Sequence, residues 1–264
     1  MEIDINLGKL PQKEKGSLEL IECKTIEEKR RHGLERLASG FRTFSHFGFD
    51  EGVAGHITFR DPEFEHHFWV NPFGMHFGQI CVSDLVLVDR NGEVVLGDRP
   101  VNTAAFAIHS RLHEARPDVN AAAHSHSMYG KSFSSMGRKL EPITQDSCAF
   151  FEDHVLCDDF TGVVLETDEG DRIADALGDK RAAILKNHGL LTTGETVDAA
   201  VWGFLSMDRC CQSQMIAESV GQMERIPDET AAMTKEQVGS ELGMWVMYQP
   251  IYDLMLEKDD SFLN

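Results

Sequence analysis

Apolar positions recur along this chain in two periods, near 3.6 and near 2, and the switches between them mark its elements. Residues 1–24 have neither period and carry Gly8, Pro11 and Gly16 as breakers, which predicts a polar arm. Thr25-Ile26-Glu27-Glu28 then spells a capping box. The helix it opens places Leu34, Leu37, Phe41 and Phe44 on one stripe and ends near Gly48. Gly52-Val53-Ala54-Gly55 feeds a short strand through Arg60, and Phe68-Trp69-Val70 is a second strand closed by the turn Asn71-Pro72-Phe73-Gly74. Leu85–Val88 and Val94–Leu96 flank Asn91-Gly92, a hairpin signal. No helical pattern separates these strands, so this part of the sheet is antiparallel.

From Asn102 to Ala115 the pattern is helical and stops at Pro117, and Ala121–His126 reads as a buried strand. Further helices are expected over Ser127–Met136, Asp168–Leu177 and Val197–Val220. Short strands are expected near Val155-Leu156, over Gly162–Leu165 and over Ala182–Lys186. A second capping box, Thr234 to Gln237, predicts a last helix that stops before Pro250. The pattern is that of one α+β domain, a mixed sheet covered by helices, over 25–225. Residues 1–24 are an added arm, and 226–264 a helical tail on its own or a neighbouring subunit.

Composition narrows the function. The 264 residues are ample for a core, and a formal net charge of −19 argues against nucleic acid or an anionic membrane as a partner. Six cysteines without a C-x-x-C spacing read as thiols in a reducing compartment. The acidic N-terminus lacks an apolar h-region, and no apolar run approaches the ~18 residues of a spanning helix. A cytoplasmic protein acting on a small molecule is the expectation.

The candidate chemistry lies in His124-Ser125-His126. On a strand, alternate side chains share a face, so both imidazoles point the same way. Two neutral imidazoles on one face suit a shared metal ion, and the alternative is a pair of satisfied histidines at a strand end. His188 also ends an apolar strand, before Gly189, and is a third candidate ligand. Three protein ligands leave an open coordination position, the pattern of a catalytic metal. There is no H-E-x-x-H and no G-x-S-x-G. Gly189–Thr196 resembles a P-loop, but Glu195 stands where the lysine belongs.

Gly52–Gly55, Asn71–Gly74, Arg116-Pro117-Asp118, Ala123–His126 and Asn187–Leu190 together resemble the class II aldolase/adducin family from about Arg31 to Ala217. The resemblance implies a three-layer α/β/α fold with a largely antiparallel sheet, and a homotetramer. It implies His124, His126 and His188 as ligands of a divalent metal, zinc first, with manganese, iron or nickel as alternatives. The metal acts there as a Lewis acid. The glutamate that serves as acid/base in the family's sugar-phosphate aldolases falls at Ala105, so the usual base is missing. At the family's phosphate pocket this chain has His56, Phe73-Gly74 and Asn102-Thr103-Ala104. Phe73 and Ala104 offer no side-chain donor, which implies a non-phosphorylated, more apolar or aromatic substrate.

Asp146 is the candidate to replace the base, and Tyr129 and Lys131 are candidates for proton donor or electrophile, set against a helix cap or turn residue for Asp146 and a solvated lysine for Lys131. His109 has a packing role or supports a ligand. Trp245, Tyr248 and Tyr252 either close a neighbouring site or belong to the core. The expected activity is carbon–carbon cleavage, by retro-aldol reaction or decarboxylation, of a carbonyl or hydroxy acid through a metal-stabilised enolate. A non-catalytic adducin-like module and a metal-dependent isomerase or epimerase are the alternatives.

Overall fold

A computed structural model describes Ile5, Leu10 and residues 13–162 and 167–264, with the side chains of 104, 105 and 167 outside the described set. Helix α1 spans Ile26–Phe47. Thr25 accepts from the Glu28 N–H while the Glu28 carboxylate accepts from the Thr25 N–H, and Gly48 closes the other end at φ 75°. The capping box and the glycine stop therefore act as the sequence predicts. Strands β1 (His56–Arg60), β2 (Phe68–Val70), β3 (Val86–Val88) and β4 (Val94–Leu96) form an antiparallel run. Helix α2 (Thr103–Ala115) leads to β5 (Ala121–Ser125), and α3 (Met128–Ser134) follows at once.

Next come β6 (His154–Cys157), α4 (Thr167–Leu177), β7 (Ala182–Leu185) and β8 (Gly189–Gly194). Helices α5 (Val197–Val220), α6 (Asp228–Val238) and α7 (Glu241–Lys258) complete the chain. Among the described residues the sheet has eight strands in the order β4-β3-β2-β1-β5-β8-β7-β6. Every pairing is antiparallel except β6 with β7. The architecture is α+β in three layers, with a largely antiparallel sheet at the centre.

Alternation along β5 shows how the layers form. Ala121 and Ala123 pack into the larger core with α1, α5 and α7, while Ala122 faces the smaller core with α2 and α4. Alanine on both faces lets helices approach the sheet closely from each side. The larger core is rich in aromatic rings, and Phe44 and Phe204 lie 4.7 Å apart between ring centroids. Such pairs add about 0.5–1.5 kcal/mol beyond the area they bury.

Several expectations change. Residues 189–194, for which the sequence predicts no element once the P-loop is set aside, are a fully buried strand. Thr234 caps nothing: it lies inside α6, and its hydroxyl donates to the Thr230 carbonyl one turn back. The C-terminal segment is two helices, with Ser240 capping α7 by accepting from the Gly243 N–H. Pro250 does not stop α7 but lies within it, at an exposed position. Tyr248 and Tyr252 are core residues, and the Tyr248 hydroxyl lies 3.0 Å from both Ser39 and Thr43 of α1. Trp245 is also buried within this chain. The strand expected at Gly162–Leu165 and most of the 1–24 arm lie outside the described residues. No helix among the described residues is long and apolar enough to cross a membrane.

Candidate metal centre and its cavity

The edge of β5 and the β7–β8 turn meet in the middle of the sheet. His124 lies one residue before the end of β5, opposite Leu191 of β8. His126 follows on the same face, as alternation requires. His188 sits in the three-residue turn between β7 and β8, where Leu185 pairs with Gly189. Asn187 takes the left-handed conformation at φ 57° and turns the chain there. Its N–H donates to the Ser134 carbonyl at 3.3 Å, which docks the turn on the end of α3. Asparagine is among the few side chains that tolerate this backbone region.

The three imidazoles converge. One nitrogen from each of His124, His126 and His188 lies within 4.8 Å of the others. Ring centroids are 5.2 Å apart for His124–His126 and 4.7 Å for each of the other pairs. His124 Nδ1–H donates to the Leu190 carbonyl at 2.7 Å, which leaves Nε2 as the lone pair facing its neighbours. Burial holds all three histidines neutral: His124 is pushed well below the usual histidine range, His188 to about 4, and His126 is also lowered. Neutral imidazole is the form that binds metal. The donor set therefore fits a divalent ion with an open face, as in catalytic sites.

A cavity of about 670 Å³ opens over this face. Val53, Phe73, Ile108 and Phe160 supply apolar wall, and Lys131 lies at its edge. No Asp or Glu is among the described residues lining it.

His56, on β1, pairs across the strands with His124 and lines the cavity. It is 3% exposed, and neither ring nitrogen has a hydrogen-bond partner. Its ring lies 4.3 Å from that of His109 of α2. His109 in turn shares the Thr58 hydroxyl with His113, at 2.6 and 2.9 Å. His109 is thus a buried packing partner behind the site, not a member of the triad.

The other candidates divide. Asn102 and Phe73 line the cavity. Gly74 is the left-handed turn residue beside Phe73, at φ 83°, and Thr103 opens α2; neither is among the lining residues. Tyr129 packs against the larger core. Asp146 is exposed at the start of a short 3-10 turn, Ser147–Phe150, and does not line this chain's cavity. The chain has left the site through α3 by that point. Lys131 is not a freely solvated lysine, because it reaches the cavity edge and pairs with Glu51. Ala105, where the family glutamate would stand, falls within α2, and its side chain lies outside the described residues.

Sequence reasoning missed Ile108, Phe160 and Glu51. Phe160 carried a signal, as a large aromatic directly after Asp158-Asp159 in a polar stretch.

A family model described as Class II Aldolase and Adducin N-terminal domain matches residues 35–215. The chain is 48% identical over 237 residues to decarboxylase NovR of Streptomyces niveus, covering 89% of this chain and 88% of that one. It is also 48% identical over 237 residues to a Streptomyces roseochromogenus subsp. oscitans protein, covering 89% of this chain and 86% of the other. That protein is named 4-hydroxy-3-prenylphenylpyruvate oxygenase/4-hydroxy-3-prenylbenzoate synthase. A solved structure named L-fuculose 1-phosphate aldolase, from Glaciozyma antarctica PI12, matches with TM-score 0.85 and 44% identity, over 91% of this chain and 94% of that one.

Proposed function

This chain belongs to the class II aldolase and adducin family, and on that premise we propose that it is a metal-dependent carbon–carbon lyase that decarboxylates a non-phosphorylated oxo or hydroxy acid with an apolar body. One observation carries the reading: three neutral imidazoles converge in a cavity whose described lining is apolar on one side and contains no carboxylate. Retro-aldol cleavage needs a group to take the hydroxyl proton, and isomerisation or epimerisation needs one to take a carbon-bound proton. Loss of CO₂ needs neither in the bond-breaking step. With Asp146 outside the cavity and Ala105 in the glutamate position, decarboxylation is the chemistry that suits these residues.

His124, His126 and His188 would hold the ion, with zinc first by donor type. When bound, it supplies Lewis acidity, which stabilises negative charge on a substrate oxygen. Three neutral ligands leave its charge uncompensated, so the site favours an anionic ligand. His56 offers the substrate a polar contact beside the triad, and Asn102 and Phe73 take the place of the phosphate pocket. Val53, Ile108 and Phe160 exclude water from the apolar body. A non-catalytic module has no use for three converging neutral histidines around an open cavity. A homotetramer in the cytoplasm suits the family and the six free thiols.

The names of the two Streptomyces relatives support the reading, since one is a decarboxylase and the other is named for a phenylpyruvate. The test is CO₂ release by the chain loaded in turn with zinc, manganese and ferrous iron. Aryl 2-oxo acids, 3-oxo acids and 2-hydroxy acids are offered, and dioxygen uptake is followed alongside. A 3-oxo acid can pass the electron pair of the broken bond to its own carbonyl. A 2-oxo or 2-hydroxy acid has no such sink and needs an acceptor such as dioxygen, so uptake separates these from the 3-oxo acid. We expect CO₂ from at least one class and none from His124→Ala. Cleavage of sugar phosphates without CO₂ from any acid would overturn the reading.

A further inference from the structure

Lys131 is the one lysine or arginine among the described residues that line the cavity. Helix α3 begins two residues after His126, so Lys131 returns to the cavity edge one turn later. There its ammonium donates to Glu51 Oε1 at 2.8 Å. Glu51 belongs to the loop between α1 and β1 that leads into Val53–Gly55 of the cavity wall. The two side chains are 35% and 43% exposed, so the pair sits at the mouth and exchanges with solvent. Lys131 lowers the Glu51 carboxyl below the usual range, chiefly through this hydrogen bond. The titratable group facing the pair from the end of β5 is His126, just beyond the strand, which burial holds neutral.

A net charge of −19 repels an approaching anion over most of the surface. Within the described cavity lining, Lys131 offers the protein's local counter-charge, and Val53, Phe73, Ile108 and Phe160 offer an apolar wall. A ligand that satisfies both has a carboxylate at one end and an apolar body at the other.

We infer that Lys131 anchors the carboxylate of the ligand and that Glu51 is its exchangeable counter-ion, so that the pair sets the preference for acids. The proposal takes the carboxylate from the decarboxylase reading but does not depend on CO₂ being released. When the cavity is empty, Glu51 holds the lysine at the mouth. When an acid enters, its carboxylate competes for the same ammonium. A charge-assisted hydrogen bond in a partly dehydrated mouth is strong enough to discriminate an acid from its amide about tenfold. The counter-ion keeps that hold moderate. In a decarboxylation, charge leaves the carboxylate, and binding it too tightly favours the ground state over the transition state.

The test is the affinity of the metal-loaded protein for 3-phenylpropionate and for 3-phenylpropionamide by calorimetry. Neither probe has an oxo group to react. The wild type should prefer the acid. Lys131→Met should reduce the acid-over-amide ratio about tenfold while amide affinity stays the same, which shows the cavity intact. Lys131→Arg should restore most of the preference, and Glu51→Gln should raise it above wild type. An unchanged ratio in Lys131→Met, or no acid preference in the wild type, would overturn the anchor. A ratio that falls in Glu51→Gln would overturn the counter-ion role. Acid preference without CO₂ release would leave the anchor standing and remove the decarboxylase reading.

Discussion

At the scale of single residues, the site depends on how closely two backbones approach. A Cβ built on Gly189 would lie 2.7 Å from the Ser125 carbonyl oxygen, at the end of β5 between His124 and His126. That neighbour is backbone and cannot swing aside. Gly189→Ala should therefore push the β7–β8 turn, with His188, away from the other two ligands. We expect metal affinity to fall at least tenfold, with a stability loss of about 1–3 kcal/mol typical of overpacking. Metal titration and urea unfolding check the two, and an unchanged metal affinity would contradict the packing argument. His124, His126 and His188 were legible because their types and strand ends were written in the sequence. Their convergence was legible only through the family resemblance, because it depends on β5 pairing with β8. Asp146 lies exposed at a 3-10 turn and does not line this chain's cavity, because the chain turns away through α3 before reaching it.

Among the elements, the sequence was most legible where one signal had one meaning. The capping box at Thr25, the stripe Leu34-Leu37-Phe41-Phe44 and the Asn91-Gly92 turn each led to the element they predict. The signals at Thr234 and Pro250 failed because Thr234 sits half-buried inside α6 and Pro250 sits at an exposed position inside α7. β8 was hidden because its flanking glycines imitate a phosphate loop, while its role is to fill the centre of the sheet. Helix α7 is an instructive case. It follows the segment expected to end the domain, yet Met244, Trp245, Tyr248, Tyr252 and Met255 are buried in this chain. Arg36 of α1, Asp198 of α5 and Gln249 of α7 form a buried polar cluster, with Gln249 donating to Asp198 at 2.8 Å. We propose that α7 is part of the domain and not an appended tail. A chain ending at Gly239 should lose cooperative unfolding, because removing several large core side chains costs about 2–5 kcal/mol each. Scanning calorimetry checks this, and a sharp transition in the shortened chain would restore the tail.

For the molecule as a whole, buried neutral histidine sets the response to acid. Burial, followed by the nearby Arg60, pushes His113 down to about 3 from the ordinary 6.5. The folded state refuses a proton that the unfolded state accepts. The stability this histidine allows is fully present above pH 6.5 and is lost as pH falls from there toward 3, with a slope approaching about 1.4 kcal/mol per pH unit. The difference in unfolding free energy between metal-free wild type and His113→Gln, followed from pH 7 to 5, isolates this group. We expect the variant's slope to be shallower by close to one proton, and parallel slopes would contradict it.

The central claim is that this fold holds a metal ion on three histidines. The most direct test is metal content by elemental mass spectrometry, on protein purified without a metal-affinity tag, beside a His124→Ala/His126→Ala variant. The account predicts about one divalent ion per chain, lost in the variant while its circular dichroism stays the same. A wild type that takes up no metal after dialysis against zinc, manganese and iron, or a variant that keeps it in full, would contradict the account.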